Sequence, residues 1–426
     1  MTYLMQNKAK GRVIMNANLI LNISLGILIF SFVFDAILNR LNLKHSELPI
    51  DPSFDYLYDG EKRKSALEYQ RANYTANFWA ELVSTGVTIA MLAAGGFGLI
   101  DKFVRQYSDN EIVVGLAFIA IVGLLGSIVS LPFGIYNTFV IEAKYGFNKT
   151  TVTTFVTDKI KGTIIGAIIG APLFSAIVWI YLQLDSFFWL ATWLLMTAFS
   201  LFSFAFGTTL ILPRFNKLSP LEDGELKTAI LDYCDSQGYA VGRLFVMDGS
   251  KRSTKANAFF AGIGKSKTIV LYDTLIEKLT IEEVVAVLAH EVGHYKRKHT
   301  LAMFASSTIQ TLGITALLGW MLNYPEVSLA LGAEVPSFHV ATVTFFLLFS
   351  PISMVLGLAN MALSRRNEFD ADEFSTSTYP KGVMASALGK ISTDALANLN
   401  PHPAYVKVHY THPPVIERLK ALNSAK

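Results

Sequence analysis

Residues 287–300 read Val-Leu-Ala-His-Glu-Val-Gly-His-Tyr-Lys-Arg-Lys-His-Thr, and the HEVGH core at His290 to His294 decides what kind of chain this is. Upstream, Thr280 followed by Glu282 and Glu283 marks a helix start with acidic residues in its first turn. The helix is expected to continue through Val284, Val285, Val287 and Leu288 to His294. On a helix His290 and His294 lie one turn apart on one face, so both imidazoles can reach one zinc at about 2.0–2.1 Å. Glu291 can reach the open position of that metal. There it takes a proton from water whose pKa zinc lowers to about 7, and later gives it to the leaving amine. The plain alternative is two buried helix histidines beside a chance glutamate. Three chemically specified positions on an independently expected helix argue against it.

Outward from this segment the chain is apolar. Of 426 residues 52% are hydrophobic and only 16% charged, with mean hydropathy +0.41, too apolar for a soluble protein of this size. A bilayer core needs about 20 apolar helical residues. Uncharged runs of that order recur at 13–34, 82–100, 112–141, 162–184, 186–212, 300–322 and 340–363, predicting seven spans. The first is long and lacks a small-residue cleavage site, so it is expected to remain as a span. A net charge of +3 spread among loops excludes nucleic acid as a partner. The lone Cys234 supplies neither an internal disulfide nor a thiolate cluster, leaving metal chemistry to His and carboxylates.

The expected organisation is five membrane helices with their loops over 1–212, a polar catalytic segment over 213–299, two further spans over 300–364, and a second polar catalytic segment over 365–426. Lys and Arg concentrate in the first loop (Arg40, Lys44, Lys62, Arg63, Lys64, Arg71) and the third (Lys144, Lys149, Lys159, Lys161). The other side holds Lys8, Lys10, Arg12, Lys102 and Arg105. That bias places the N-terminus outside or lumenal and both polar segments in the cytoplasm. Within 213–299 the pattern predicts an amphipathic helix over 225–235 and short strands over 243–247, 257–261 and 268–272. GIGKS at Gly262 to Ser266 is no phosphate loop, because Phe259 stands where that motif needs glycine. Gly162, Gly166 and Gly170 share a helical face and are expected to pack closely inside the bundle, a dimer interface being the alternative.

Two histidines leave a catalytic zinc one protein ligand short. Ser364-Arg-Arg-Asn-Glu-Phe-Asp-Ala-Asp372 follows the last span and is helix-compatible, setting Glu368 and Asp372 on one face. Glu368 fits as the third ligand, and Asp372 as the carboxylate that accepts the other N–H of a ligating His and fixes its tautomer. The plain reading is a charged helix end with Arg365 and Arg366 on lipid headgroups. An incomplete zinc site next door favours the ligand reading. His299 is expected too far along the helix to share the metal-facing turn and is read as a membrane-interface residue; His45 and His339 are read as loop residues without a role.

The chain resembles the CAAX prenyl protease 1 family, the Ste24-type integral membrane zinc metalloproteases. The likeness rests on LPFGIYNTFVIEAKYGFNKTT (131–151), LPRFNKLSPLEDGEL (212–226), GSKRSTKANAFFAG (249–262), VLAHEVGHYKRKHT (287–300), SRRNEFDAD (364–372) and YTHPPVIERL (410–419). It implies an all-α multi-pass membrane protein whose seven helices enclose a chamber, with a small cytoplasmic α+β zinc metalloprotease region and one zinc per chain. It also implies Glu368 as the third ligand, and Asn257, Ala258, Phe259 and Phe260 as an edge strand on which an extended peptide pairs. His412 becomes a donor to the oxyanion, with His402 and His409 as alternatives.

The expected activity is an endopeptidase cutting near the C-terminus of lipidated or membrane-associated peptides, prenylated ones in eukaryotic members, with membrane lipid as the other partner. The compact length and bare C-terminus favour a bacterial inner membrane, against an ER membrane for a eukaryotic host. A quality-control protease or scaffold without prenyl specificity is the alternative. A transporter with a structural zinc is disfavoured by spans free of Asp, Glu, Lys and Arg. Glu291 separates these readings, since a structural site needs ligands but no general base.

Overall fold

The computed structural model describes residues 16–261 and 267–424. Lys8, Lys10, Arg12 and the GIGKS segment lie outside the described residues. The chain is helical apart from one small sheet, and its long helices come in chain order as α1 (Ala17–Ser46), α2 (Gly60–Ala93), α3 (Gly96–Arg105), α4 (Glu111–Tyr136), α5 (Val152–Leu184) and α6 (Phe188–Leu210). Among the described residues six helical stretches are long and apolar enough to cross a bilayer, against the seven expected. The difference lies at Val152–Arg214, one stretch of 63 residues. Here the expected fourth and fifth spans meet at a 3-10 turn, Asp185–Phe187, with Asp185 at φ 32° and no longer connection. In the apolar windows only 6–28% of residues are buried by protein, so most of that surface requires lipid or another non-aqueous cover.

Two expectations about the bundle are corrected. The second span is α2, which starts at Gly60 instead of residue 82 and stops before Gly95, whose φ of 64° breaks the helix. Residues 96–105 form the separate α3, held by Gly98 N–H donating to Leu331 O at 3.0 Å. A Cβ on Gly98 would stand 2.0 Å from the Gly332 backbone, so this crossing needs glycine. Gly162, Gly166 and Gly170 do not pack closely: all three are exposed, and an added Cβ would meet nothing within 4 Å. The small-residue spacing is present, but among the described residues nothing packs against those three positions.

The polar segment begins with β1 (Leu218–Pro220), α7 (Glu225–Ser236), β2 (Arg243–Met247), β3 (Ala258–Ala261) and β4 (Thr268–Tyr272). The sheet order is β1-β2-β4-β3, four strands where three are expected. β1 escapes the alternation pattern because it is three residues long and ends in proline. After α8 (Asp273–Lys278) comes α9 (Ile281–Lys296), opened by a capping box in which Thr280 and Glu283 satisfy each other's backbone N–H groups. Val285, Leu288 and Val292 of α9 are buried against Ile230 and Cys234 of α7 and Ile269 and Leu271 of β4. The remaining helices are α10 (His299–Met321), α11 (Glu326–Leu329), α12 (Phe338–Thr378), α13 (Val383–Asp394), α14 (Pro403–His409) and α15 (Val415–Ser424).

α12 runs unbroken for 41 residues, about 60 Å at 1.5 Å per residue. It therefore carries the last span and the SRRNEFDAD segment as one rod, laid against α9. His339, expected in a loop, is instead in the first turn of α12. It is buried with Nε2 2.6 Å from Asp101 Oδ1, which also accepts from the Arg105 guanidinium. His45 lies at the end of α1, its Nδ1 3.0 Å from Asn400 O. Both lysine-rich connections touch the polar segments: Tyr58 donates to Ala397 O, and Lys149 N–H to Arg252 O, each at 3.0 Å.

Candidate active site and metal centre

The site is assembled where α9 and α12 cross. Gly293 is the reason they can come close, because an added Cβ would stand 3.0 Å from Phe374 Cβ and 3.2 Å from the Ala371 backbone. Ser375 Oγ crosses the same contact to donate to Ala286 O at 3.1 Å. This approach brings His290 and His294 of α9 to Glu368 of α12. His290 Nε2 is 3.1 Å from His294 Nε2 and 3.4 Å from Glu368 Oε2, and His294 Nε2 is 3.3 Å from Glu368 Oε1.

Those separations test whether a metal fits. Four ligands at about 2.0–2.1 Å in a tetrahedron stand ~3.3 Å from one another, and the nearest approaches here, two of them to different oxygens of Glu368, agree with that to within a few tenths of an ångström. The donor chemistry agrees too. Two imidazole nitrogens turned toward each other and toward one carboxylate converge on one point, and Glu368 Oε2 is buried without a hydrogen bond among the described residues. These three are the group of His and carboxylate side chains able to hold an ion here.

Around them sits a layer that fixes their orientation. His290 Nδ1 lies 2.9 Å from Asp372 Oδ1, though its N–H is not aimed squarely at that oxygen. Asp372 in turn accepts a fork from Arg418 of α15, Nε to Oδ2 at 2.8 Å and Nη2 to Oδ1 at 2.7 Å. Arg418 Nη1 is also 3.2 Å from Glu368 Oε2. Burial alone would pull the His290 imidazole down, but Asp372 and Glu368 outweigh it and raise it to about 9. A metal must therefore displace a proton to bind. Glu291 stands half-buried beside the two histidines, and loss of solvation pushes its carboxyl above the ordinary value against the lowering effect of His290 and His294.

His412 enters from the segment between α14 and α15, its Nε2 3.3 Å from Glu368 Oε1. On its other side His412 Nδ1 is hydrogen-bonded to the Thr411 hydroxyl at 2.8 Å. Loss of solvation, with Arg418 acting against the pull of Glu368, holds this imidazole below its usual value. The alternatives lie elsewhere: His402 packs edge-on to His45 and His409 Nε2 is 3.5 Å from Asp35. Ala258 to Ala261 form β3, bonded to β4 on one side and with no strand on the other among the described residues. Asn257 precedes it, exposed, and β3 lies against α9.

Comparison with known proteins points the same way. Residues 39–217 match the family described as CAAX prenyl protease N-terminal, five membrane helices. Residues 220–426 match peptidase family M48. A CAAX prenyl protease 1 homolog of Arabidopsis thaliana is 33% identical over 412 residues, covering 93% of this chain and 96% of the relative. The chain belongs to the CAAX prenyl protease 1 family. CAAX prenyl protease 1 of Saccharomyces cerevisiae is 30% identical, covering 93% of this chain and 94% of its own. The crystal structure of S. mikatae Ste24p superposes with a TM-score of 0.91 at 27% identity, over 96% of this chain and all of that one. As a CAAX prenyl protease 1 homologue the chain is an integral membrane metallopeptidase acting on peptide or protein substrates.

The sequence reading gives Arg418, His299 and Arg365 no part in this CAAX prenyl protease site. Arg418 sits in the quoted YTHPPVIERL, and its signal is a charge on the face that Leu419 and Leu422 bury. His299 is no interface residue: Lys298 at φ 59° ends α9, and the turned chain puts His299 Nδ1 3.0 Å from His294 Nδ1. Arg365 and Arg366 part company. Arg366 is exposed, whereas Arg365 turns inward to donate to the carbonyls of Val406 at 3.0 Å and Tyr410 at 2.8 Å.

Proposed function

We propose that the chain is a zinc endopeptidase that hydrolyses bonds near the C-terminus of lipidated, including prenylated, peptides presented at the membrane. One zinc per chain is held by His290, His294 and Glu368. The convergence of the two Nε2 atoms, 3.1 Å apart, on the two Glu368 carboxylate oxygens at 3.3 and 3.4 Å carries this reading. When bound, the ion polarises the scissile carbonyl and lowers the pKa of the attacking water. Asp372, itself gripped by Arg418, orients His290. Glu291 takes the proton of the attacking water and delivers it to the leaving amine, and a carboxyl raised by loss of solvation holds a proton more readily between the two transfers. His412, neutral near pH 7, donates its Nε2–H to the oxyanion that develops on the substrate carbonyl.

An extended substrate adds to the open edge of β3 through its main chain along Asn257 to Phe260, which permits many side-chain sequences and suits a tail-cutting enzyme. Orientation follows from the two lysine-rich connections, which touch the catalytic segments. The excess of basic residues on that side argues for a cytoplasmic active site with membrane lipid as the surrounding partner.

The test is cleavage of a farnesylated CAAX-type peptide by detergent-purified protein, with zinc measured on the same sample. One zinc per chain, activity lost on chelation and restored by zinc is the expected result; full cleavage by metal-stripped protein would contradict the reading. His290→Ala and Glu368→Ala are expected to lose zinc and cleavage together. Mass spectrometry of membrane peptides that accumulate when Glu291→Gln replaces the native chain would identify the physiological substrate.

A further inference from the structure

His412 stands on a segment with little structure of its own. The preceding helix, α14, has seven residues, too few to hold its shape in isolation. Its placement must come from outside. At its N-terminal end His402 N–H donates to Asn42 Oδ1 of α1 at 3.0 Å, and the His402 ring accepts from Ala404 N–H. Toward its other end His409 Nε2 reaches Asp35 of α1 at 3.5 Å. The last carbonyls of a helix lack intrahelical partners and attract cations. Here a single guanidinium nitrogen, Arg365 Nη1, reaches the end of α14: Val406 O at 3.0 Å, which also accepts from Tyr410 N–H, Lys407 O at 3.4 Å and Tyr410 O at 2.8 Å.

Arg365 and Glu368 are three residues apart on α12, on neighbouring positions of one face. The rod that presents Glu368 to the histidines therefore also grips the chain two residues before His412. Buried Pro413 and Pro414 stiffen the exit. We propose that Arg365 is a positioning residue: by clamping the C-terminal carbonyls of α14 it sets His412 against Glu368 in the geometry needed to meet the oxyanion. The proposal rests on the reading of His412 as oxyanion donor. It gives Arg365 a part in catalysis without contact with substrate or metal, and it explains why Arg365 turns inward while its neighbour Arg366 does not.

The experiment compares Arg365→Gln, Arg365→Lys, His412→Ala and the Arg365→Gln/His412→Ala double variant on a farnesylated CAAX-type peptide, with zinc content measured for each. A misplacement of about 1 Å can cost up to ~100-fold in rate, so Arg365→Gln is expected to lower kcat about 10- to 100-fold with KM and zinc unchanged. Arg365→Lys, which keeps a cationic donor, recovers part of the loss. The double variant is no slower than His412→Ala. In zinc-free protein, amide exchange over 403–412 speeds up in Arg365→Gln and stays near native in Arg365→Lys. Native kcat in Arg365→Gln beside a slow His412→Ala, losses that multiply in the double variant, or loss of zinc in Arg365→Gln would each overturn the clamp. Full kcat in His412→Ala would instead overturn the reading of His412 on which the clamp depends.

Discussion

Arg418 is 7% exposed and placed between two carboxylates, Asp372 and Glu368, that stand one turn apart on α12. Without that cation the pair would repel and Asp372 would be free to turn from His290. Arg418→Met is expected to weaken zinc binding about 10- to 100-fold, the usual cost of removing an orienting neighbour, read by competition with a chromophoric chelator; native affinity would contradict the role. Residues of this kind divide by whether local geometry dictates them. His290, Glu291 and His294 are legible in the sequence because one helix fixes their spacing, and Glu368 because two histidines and a water leave a catalytic zinc one protein ligand short. Arg418 is not, since its partners lie 46 and 50 residues away in the chain. His299 is misread for a different reason: the positive φ at Lys298 breaks the helix between His294 and His299, and nothing in a lysine announces it.

α9 depends on two contacts that fix it to its neighbours. At the crossing with α12, a methyl group on Gly293 would push directly against Ala371. Gly293→Ala is expected to cost about 1–3 kcal/mol by overpacking and to lower zinc affinity, because Glu368 rides on the displaced helix; thermal midpoints and zinc titration of purified protein check both. At the start of α9, Glu283 is 4% exposed and accepts from Thr280 N–H at 3.0 Å, Ser386 Oγ at 2.7 Å and Lys390 Nζ at 2.6 Å. Burial would raise its carboxyl, but these donors hold it below the usual value. A depressed carboxyl stabilises the folded state above its unfolded pKa and loses that contribution as pH falls through the folded one. Glu283→Gln is therefore expected to be less stable than native at pH 7 by about 1–3 kcal/mol, with the gap closing below pH ~4. An equal gap at both pH values would contradict it. The helix start at Thr280 and strands β2, β3 and β4 are legible because start signals and alternation are local. The second span is misplaced because Gly95, one glycine among several in an apolar run, is where the helix breaks.

At the scale of the whole molecule, α12 joins membrane and catalysis in one rod, and the basic connections after α1 and α4 brace the catalytic segments from the same side. Single cysteines placed at Lys64 and Lys381, in a chain whose own Cys234 is buried, are expected to resist an impermeant thiol reagent added outside intact cells and to react after permeabilisation. Labelling from outside would reverse the orientation. The central claim is that a metal held by His290, His294 and Glu368 serves catalysis with Glu291 as base, and Glu291→Gln tests it most directly. The variant should keep one zinc per chain and lose cleavage of a farnesylated CAAX-type peptide by about 10²- to 10⁴-fold. Full cleavage by zinc-loaded Glu291→Gln would contradict the account.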